Sequence, residues 1–166
     1  MATTPVLGYS LPQKLVHWLM AALMFFNLLF PDGMNAWNRL VRKGETVTPE
    51  VIASANIHAY VGIAILALAV IRLILRLTHG APEEPAEEPA MFRLAAKVAH
   101  WAFYALFFLL PISGAMAYYG GVAAAGSLHA GPIKALMWVL IVVHIAAVLV
   151  HQFYWKTNVA TRMTKG

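Results

Sequence analysis

The chain has 166 residues, of which 61% are apolar or aromatic and 11% carry charge, where an ordinary soluble domain is roughly 25% charged. A soluble monomer of this length cannot turn so much apolar surface inward, because a small domain exposes a large share of its residues, so the composition excludes a soluble enzyme and points to the bilayer. There is no cysteine, which excludes disulfides, thiolate-held iron–sulfur clusters, covalent haem attachment through paired cysteines and thiol nucleophiles. The formal charge of +5 is spread over the ends of apolar runs; this is membrane anchoring rather than a nucleic-acid patch. At about 20 residues per spanning helix, four spans use about half the chain and leave only loops.

Four apolar segments follow one another. The first opens at Pro12, a good first-turn residue, and runs to Phe30, where Pro31-Asp32-Gly33 breaks it. It is longer than a signal-peptide core, and Pro-Asp-Gly is a poor cleavage site, so it is expected to be retained. The others span about 51–77, 94–119 and 132–155, the last opening at Gly131-Pro132. Each is long enough to cross a bilayer as a helix. The expectation is an all-α, integral membrane four-helix bundle of up-down topology, one domain over 1–166. The connector APEEPAEEPA reads as an acidic, proline-punctuated, solvated spacer. With four spans, one side carries Lys14, Arg72, Arg76, Arg93, Lys97, Lys156, Arg162 and Lys165, and the other Arg39, Arg42, Lys43 and Lys134. The excess of cations with the termini places both termini in the cytoplasm.

Seven histidines in so apolar a chain are the informative feature, since an ionisable residue inside a span marks function by default. His17 lies near the start of the first span and His58 near the start of the second, hence at opposite membrane faces. In the fourth, His129 precedes the helix start, His144 is central and His151 lies toward the cytoplasmic end. His129 and His144 are fifteen residues apart, about 60° from one face and about 22 Å of rise; His144 and His151 are seven apart, within about 20° and about 10 Å. One helix face thus carries imidazoles at three levels. The other helices meet it with one at each end, which suits two sites stacked across the membrane. Haem b takes two trans imidazoles between helices of a bundle. Zinc prefers three or four ligands with carboxylate or thiolate help, and no Asp or Glu lies in any span. Arg72, fourteen residues after His58, and Arg76, one turn further, suit the carboxylates of an inner haem. By face alone, His151 competes with His144 as the partner of His17.

The run LPQKLVHWLMAAL, then NIHAYVG…VIRLILRL, then AHWAFYALFFLLPISG, then VVHIAAVLVHQFYWK resembles the bacterial cytochrome b561 family over about residues 9–163. That family is four-helix and dihaem, and is related to the cytochrome b subunits of hydrogenase and formate dehydrogenase. The resemblance implies two haems b, with His17 and His144 holding the inner one and His58 and His129 the outer. It implies electron transfer across the inner membrane between a periplasmic-side donor and membrane quinone, with ubiquinone beside His151 and a quinone-side or supporting role for His100. One branch oxidises superoxide, which would make the chain a superoxide:ubiquinone oxidoreductase; otherwise it is an electron carrier. Two departures stand out. The family usually separates its last two ligands by fourteen residues, against fifteen here, and the superoxide-oxidising relatives carry basic residues where this chain has Glu83, Glu84, Glu87 and Glu88. Two rivals remain at this point: a haem-bearing anchor for a periplasmic dehydrogenase, and a metal or proton transporter using the histidines.

Overall fold

A computed structural model of the chain describes residues 8–85 and 88–165. Ala86 and Glu87 of the acidic connector lie outside the described residues. Helix α1 (Leu11–Leu29) starts at a reciprocal cap in which the Ser10 N–H donates to Gln13 Oε1 at 2.9 Å, satisfying a group the first turn leaves orphaned. Beyond Phe30 the chain bends by 43° into α2 (Asp32–Lys43). Residues 31–50 were expected to be a connecting loop, and most of them are this helix. Its charges follow the helix dipole, with Asp32 at the start and Arg42 and Lys43 in the last turn. Gly44 ends it in the left-handed region at φ 68°, where a side chain would be strained.

Helix α3 (Pro49–His79) and α4 (Ala90–Tyr118) are the long rods of the fold. The fourth apolar segment departs from expectation in one respect. A further helix, α5 (Ala123–Leu128), precedes the expected start, and α6 (Lys134–Phe153) follows it across a kinked π-turn (His129–Ile133). Gly131 leaves helical geometry there, at φ −100° and ψ −107°. Gly-Pro thus breaks the helix where it was expected to, and Pro132 stands at the start of the next helical stretch, where a missing N–H costs nothing. A short helix, α7 (Val159–Thr164), closes the chain.

Three stretches are long and apolar enough to cross a membrane alone: α3, α4 and the kinked stretch 123–153. Joined to α2, α1 makes a fourth. Its 19 residues include Gln13, Lys14, His17 and Asn27, which dilute it. Contacts fix the relative directions. Gln13 Nε2 donates to Gly80 O (2.9 Å) and Asn27 Nδ2 to His58 O (3.0 Å), so α1 and α3 are antiparallel. The Tyr118 hydroxyl donates to Asn56 Oδ1 (2.9 Å), so α3 and α4 are antiparallel too. Met20 and Met24 of α1, Ile65 and Ala69 of α3, Leu106 and Leu110 of α4 and Met137 of α6 form the buried core. Large apolar side chains elsewhere face outward, Val139 and Val142 being 57% and 62% exposed, as expected of helices solvated by lipid.

Helix α2 lies against the start of α3, and Gly33 is where they touch most closely. A Cβ there would stand 2.7 Å from the Ser54 carbonyl carbon and closer still to its hydroxyl. Backbone cannot yield as a side chain can, so Gly33→Ala is expected to cost about 1–3 kcal/mol and to lower the melting temperature of the detergent-solubilised protein. An unchanged melt would mean that α2 does not dock on α3.

Candidate functional site

Two imidazole pairs stand at opposite ends of the helical assembly. Toward the end where α1 begins, His17 of α1 and His144 of α6 have ring centroids 6.4 Å apart, inclined at 56°. Toward the other end, His58 of α3 and His129 of the π-turn have centroids 6.2 Å apart, at 81°. Two imidazoles bonded at about 2 Å to opposite sides of one metal ion, each centroid about 1.1 Å behind its nitrogen, have centroids about 6.2 Å apart. Both pairs meet that requirement. Among the described residues no group of three or more His, Cys, Asp or Glu side chains is arranged to hold a metal ion. Such paired donors fit a macrocycle that already supplies four nitrogens.

The His58–His129 pair is the more tightly specified. The Leu110 carbonyl can only accept, so the 2.8 Å contact to His129 Nδ1 places a proton on that nitrogen and leaves Nε2 with its lone pair. This is the orienting bond that ligating imidazoles ordinarily make. Ser113 Oγ lies 3.3 Å from the same nitrogen and donates to Leu109 O at 2.6 Å, beside Pro111, which cannot donate to the helix. Gly114 lets the ring come this close: a Cβ would stand 3.0 Å from His129 Cε1 and 3.1 Å from Nδ1. His58 Nδ1 is buried with no partner among the described residues.

A cavity of about 610 Å³ opens on this pair, floored by His58, Gly62, Gly114 and His129, with Trp37, Arg42 and Lys134 also in its lining. That is a typical cofactor-pocket volume. Trp37 packs edge-on against Tyr118 with centroids 4.7 Å apart, so α2 forms part of the wall. Arg42 and Lys134 entered the sequence reading only as outer-side charge. Their place in one cavity could not be read from a sequence in which they lie ninety-two positions apart, because it depends on the helix α2 that residues 31–50 form.

At the inner end, His17 packs edge-on against Trp18 (5.2 Å) and His144 against Phe103 (5.6 Å). Arg72 is half-buried within electrostatic range of His17, His100 and His144, and Arg76 of His100. His100, on α4, has its ring centroid 6.2 Å from that of His144. His144 thus has two imidazole neighbours, on α1 and on α4. His151 does not join them. Its Nδ1 meets Thr157 Oγ1 at 2.8 Å, its Nε2 lies 3.6 Å from Glu88 Oε1, and Trp155 packs edge-on at 4.8 Å. Both of its nitrogens are engaged. Glu88, expected in a solvated spacer, is 5% exposed; the connector folds back so that its end is buried against α6. His79 is exposed beside Thr78.

Apolar helices with paired imidazoles at two levels define a membrane protein built to hold a flat, two-ligand cofactor. The chain belongs to the prokaryotic cytochrome b561 family, whose model matches residues 8–166. It is 31% identical over 161 residues to cytochrome b562 of Cereibacter sphaeroides, covering 95% of this chain and 96% of that one. It is also 31% identical over 106 residues to a probable superoxide oxidase, CybB, of Yersinia pestis, covering 64% of this chain and 55% of that one. Family membership makes it a membrane cytochrome b, hence a haem b protein with a role in electron transfer.

Gly114→Val is expected to push the His129 ring from α4 and break its bond to Leu110, weakening cofactor retention about 10–100-fold, the usual cost of losing an orienting partner. The reduced-minus-oxidised visible spectrum of the purified protein measures this, with the lipid-facing Val142→Leu as control. A wild-type spectrum for Gly114→Val would mean that α4 does not position His129.

Proposed function

We propose that the chain is a dihaem cytochrome b spanning the inner membrane four times with both termini in the cytoplasm, passing electrons between a donor on the periplasmic side and ubiquinone. The observation that carries this reading is the presence of two opposed imidazole pairs, at 6.4 and 6.2 Å, at opposite ends of one assembly. The haem supplies a reversible one-electron couple when bound. The protein would supply imidazole nitrogens to hold it, orientation and a low dielectric. His17 and His144 hold the inner group; His17 is chosen over His100 because it falls on the family's helix-1 ligand. His58 and His129 hold the outer one, with the Nδ1 proton of His129 fixed by Leu110 so that Nε2 is presented. Arg72 and Arg76 take the inner carboxylates, and Arg42 and Lys134 neutralise anionic groups at the outer cavity. Quinone meets the chain at the inner end, near His151 and His100, as the family resemblance implies.

A pyridine haemochrome assay on the purified protein is expected to give two haems b per chain. His17→Ala and His144→Ala should each remove the same spectral component, and His58→Ala and His129→Ala the other. One haem per chain, or retention of both haems in His129→Ala, overturns the dihaem assignment.

Superoxide as the donor is a second reading, favoured by the cationic lining of the outer cavity and by the resemblance to the Yersinia pestis protein. Lys43 is drawn off to Glu45 at 3.6 Å, which leaves Arg42 and Lys134 to act on the cavity. Steering of an anion by a cationic cavity raises association rates by about 10-fold or more and weakens with salt. The double variant Arg42→Gln, Lys134→Gln is therefore expected to slow haem reduction by enzymatically generated superoxide about tenfold at low ionic strength, and less in 0.5 M salt (roughly a 4 Å screening length). Equal rates for variant and wild type would exclude steering by this pair.

A further inference from the structure

Among the described residues, three buried side-chain atoms have no hydrogen-bond partner: Asn27 Oδ1, His58 Nδ1 and Arg162 Nε. Arg162 belongs to the inner end, where its Nη1 donates to Glu83 O. The other two stand at the outer end, on residues that are already joined: Asn27 Nδ2 donates to the His58 carbonyl at 3.0 Å. A carbonyl only accepts, so the amide presents its nitrogen to His58 O and Oδ1 is the free end. One orphan is thus an obligate acceptor, and the other is a ring nitrogen able to carry a proton. In an apolar assembly each is costly to leave alone, because water does not reach it.

The two nitrogens of His58 are in different surroundings. His58 lines the outer cavity while its Nδ1 is closed off, which leaves Nε2 as the nitrogen that opens on the cavity. An imidazole that offers the Nε2 lone pair to a metal carries its proton on Nδ1, and that proton needs an acceptor. His129 finds one in Leu110 O. For His58, Asn27 Oδ1 is the one buried side-chain acceptor without a partner among the described residues. No helix has to move to join them. The torsions that aim an Asn amide and an imidazole ring are broad. Gly62, one turn past His58, leaves room beside the amide, since a Cβ there would meet only Asn27 Nδ2, at 4.0 Å.

We infer that Asn27 is the positioning residue of His58: its Oδ1 accepts the Nδ1 proton and holds the ring with Nε2 toward the cavity, as Leu110 does for His129. This rests on the haem reading proposed above and assigns that site a further residue. It also accounts for an amide in the apolar run LMFFNLLF of α1. The two ends of the amide have separate tasks. Nδ2 ties α1 to α3, as polar side chains between membrane helices commonly do. Oδ1 acts on the ring, and only this second task reaches the cofactor. An acceptor on Nδ1–H makes Nε2 more basic, and a more basic axial nitrogen favours the oxidised iron. Its loss therefore raises the midpoint potential, whereas loss of a plain interhelical tie lowers stability alone.

Redox titration of the purified holoprotein, read at the outer spectral component, separates the two tasks. Asn27→Leu is expected to raise the outer midpoint potential, to leave the inner one unchanged, and to speed haem transfer to apomyoglobin from the outer site about tenfold. Asn27→Ala, which leaves space instead of filling it, should shift the potential the same way and serves if the leucine variant does not assemble. Asn27→Asp keeps an acceptor oxygen in either protonation state, so its outer potential should lie at the wild-type value or below it, even where the melting temperature falls. Wild-type outer potentials in Asn27→Leu and Asn27→Ala, or an outer potential in Asn27→Asp raised as far as in Asn27→Ala, overturn the inference alone. A wild-type protein with no outer redox component overturns the dihaem reading and this inference with it.

Discussion

A nitrogen that can hydrogen-bond or bind metal is admitted to an apolar helical assembly only where something meets it, and this requirement organises the protein. His129 illustrates how many parts one satisfied imidazole takes. Its Nδ1 needs the Leu110 carbonyl, and reaching that carbonyl requires the ring to lie on the backbone of α4. Lying there requires Gly114, where a Cβ would stand 3.0 Å from the ring. Ser113, just past Pro111, bonds back to α4 carbonyls and closes the same patch. The four residues Leu110, Pro111, Ser113 and Gly114 form one receiving surface, and its effect is to fix the His129 ring 6.2 Å from that of His58.

The π-turn serves the same end on the facing helix. The chain kinks at Gly131, and His129 stands in the turn between α5 and α6, so its ring takes its orientation from the α4 surface rather than from one continuous helix. Pro132, just past the kink, stands where a helical stretch begins and needs no N–H donor. Gly131, at ψ −107°, takes the local distortion.

Much of this was legible in the sequence, because lipid imposes a simple code. Apolar runs of about twenty residues give helices, and an imidazole inside one stands out against them. The four segments and the histidine faces therefore came from composition and the helical period. What stayed hidden depends on interactions between distant residues. Gly-Pro reads as a helix start and does break the helix at Gly131, but the helix α5 that precedes it was not visible. Residues 31–50 read as a loop because α2 carries a mixture of charged and apolar residues whose sidedness matters only once it rests on α3. Glu88 read as solvated because four glutamates among prolines normally are; its burial depends on His151 and Thr157, sixty or more positions away. The role of Gly114 as a site of close approach was visible as a small residue in a span, but its partner was not.

The helix that carries most of the candidate chemistry is also the least closely packed. α1, α3 and α4 share the buried core in successive contact, whereas α6 enters it chiefly through Met137 and otherwise leans on α4, its own π-turn and α7. The facing imidazoles at each level thus span helices whose backbones do not interlock, α6 with α1 and the π-turn with α3. A helix held in this way has its position set by what lies between the rings and by polar ties at its ends. At one end the tie is His129 to Leu110. At the other, Glu88 and Thr157 engage His151, and the Trp18 indole donates to Met163 O at 3.1 Å across the segment that follows. A tightly interlocked α6 would gain packing but would close the 6.4 and 6.2 Å separations between the paired rings. Loose packing between the helices, with polar ties at the ends, keeps the two pairs open at one fixed spacing.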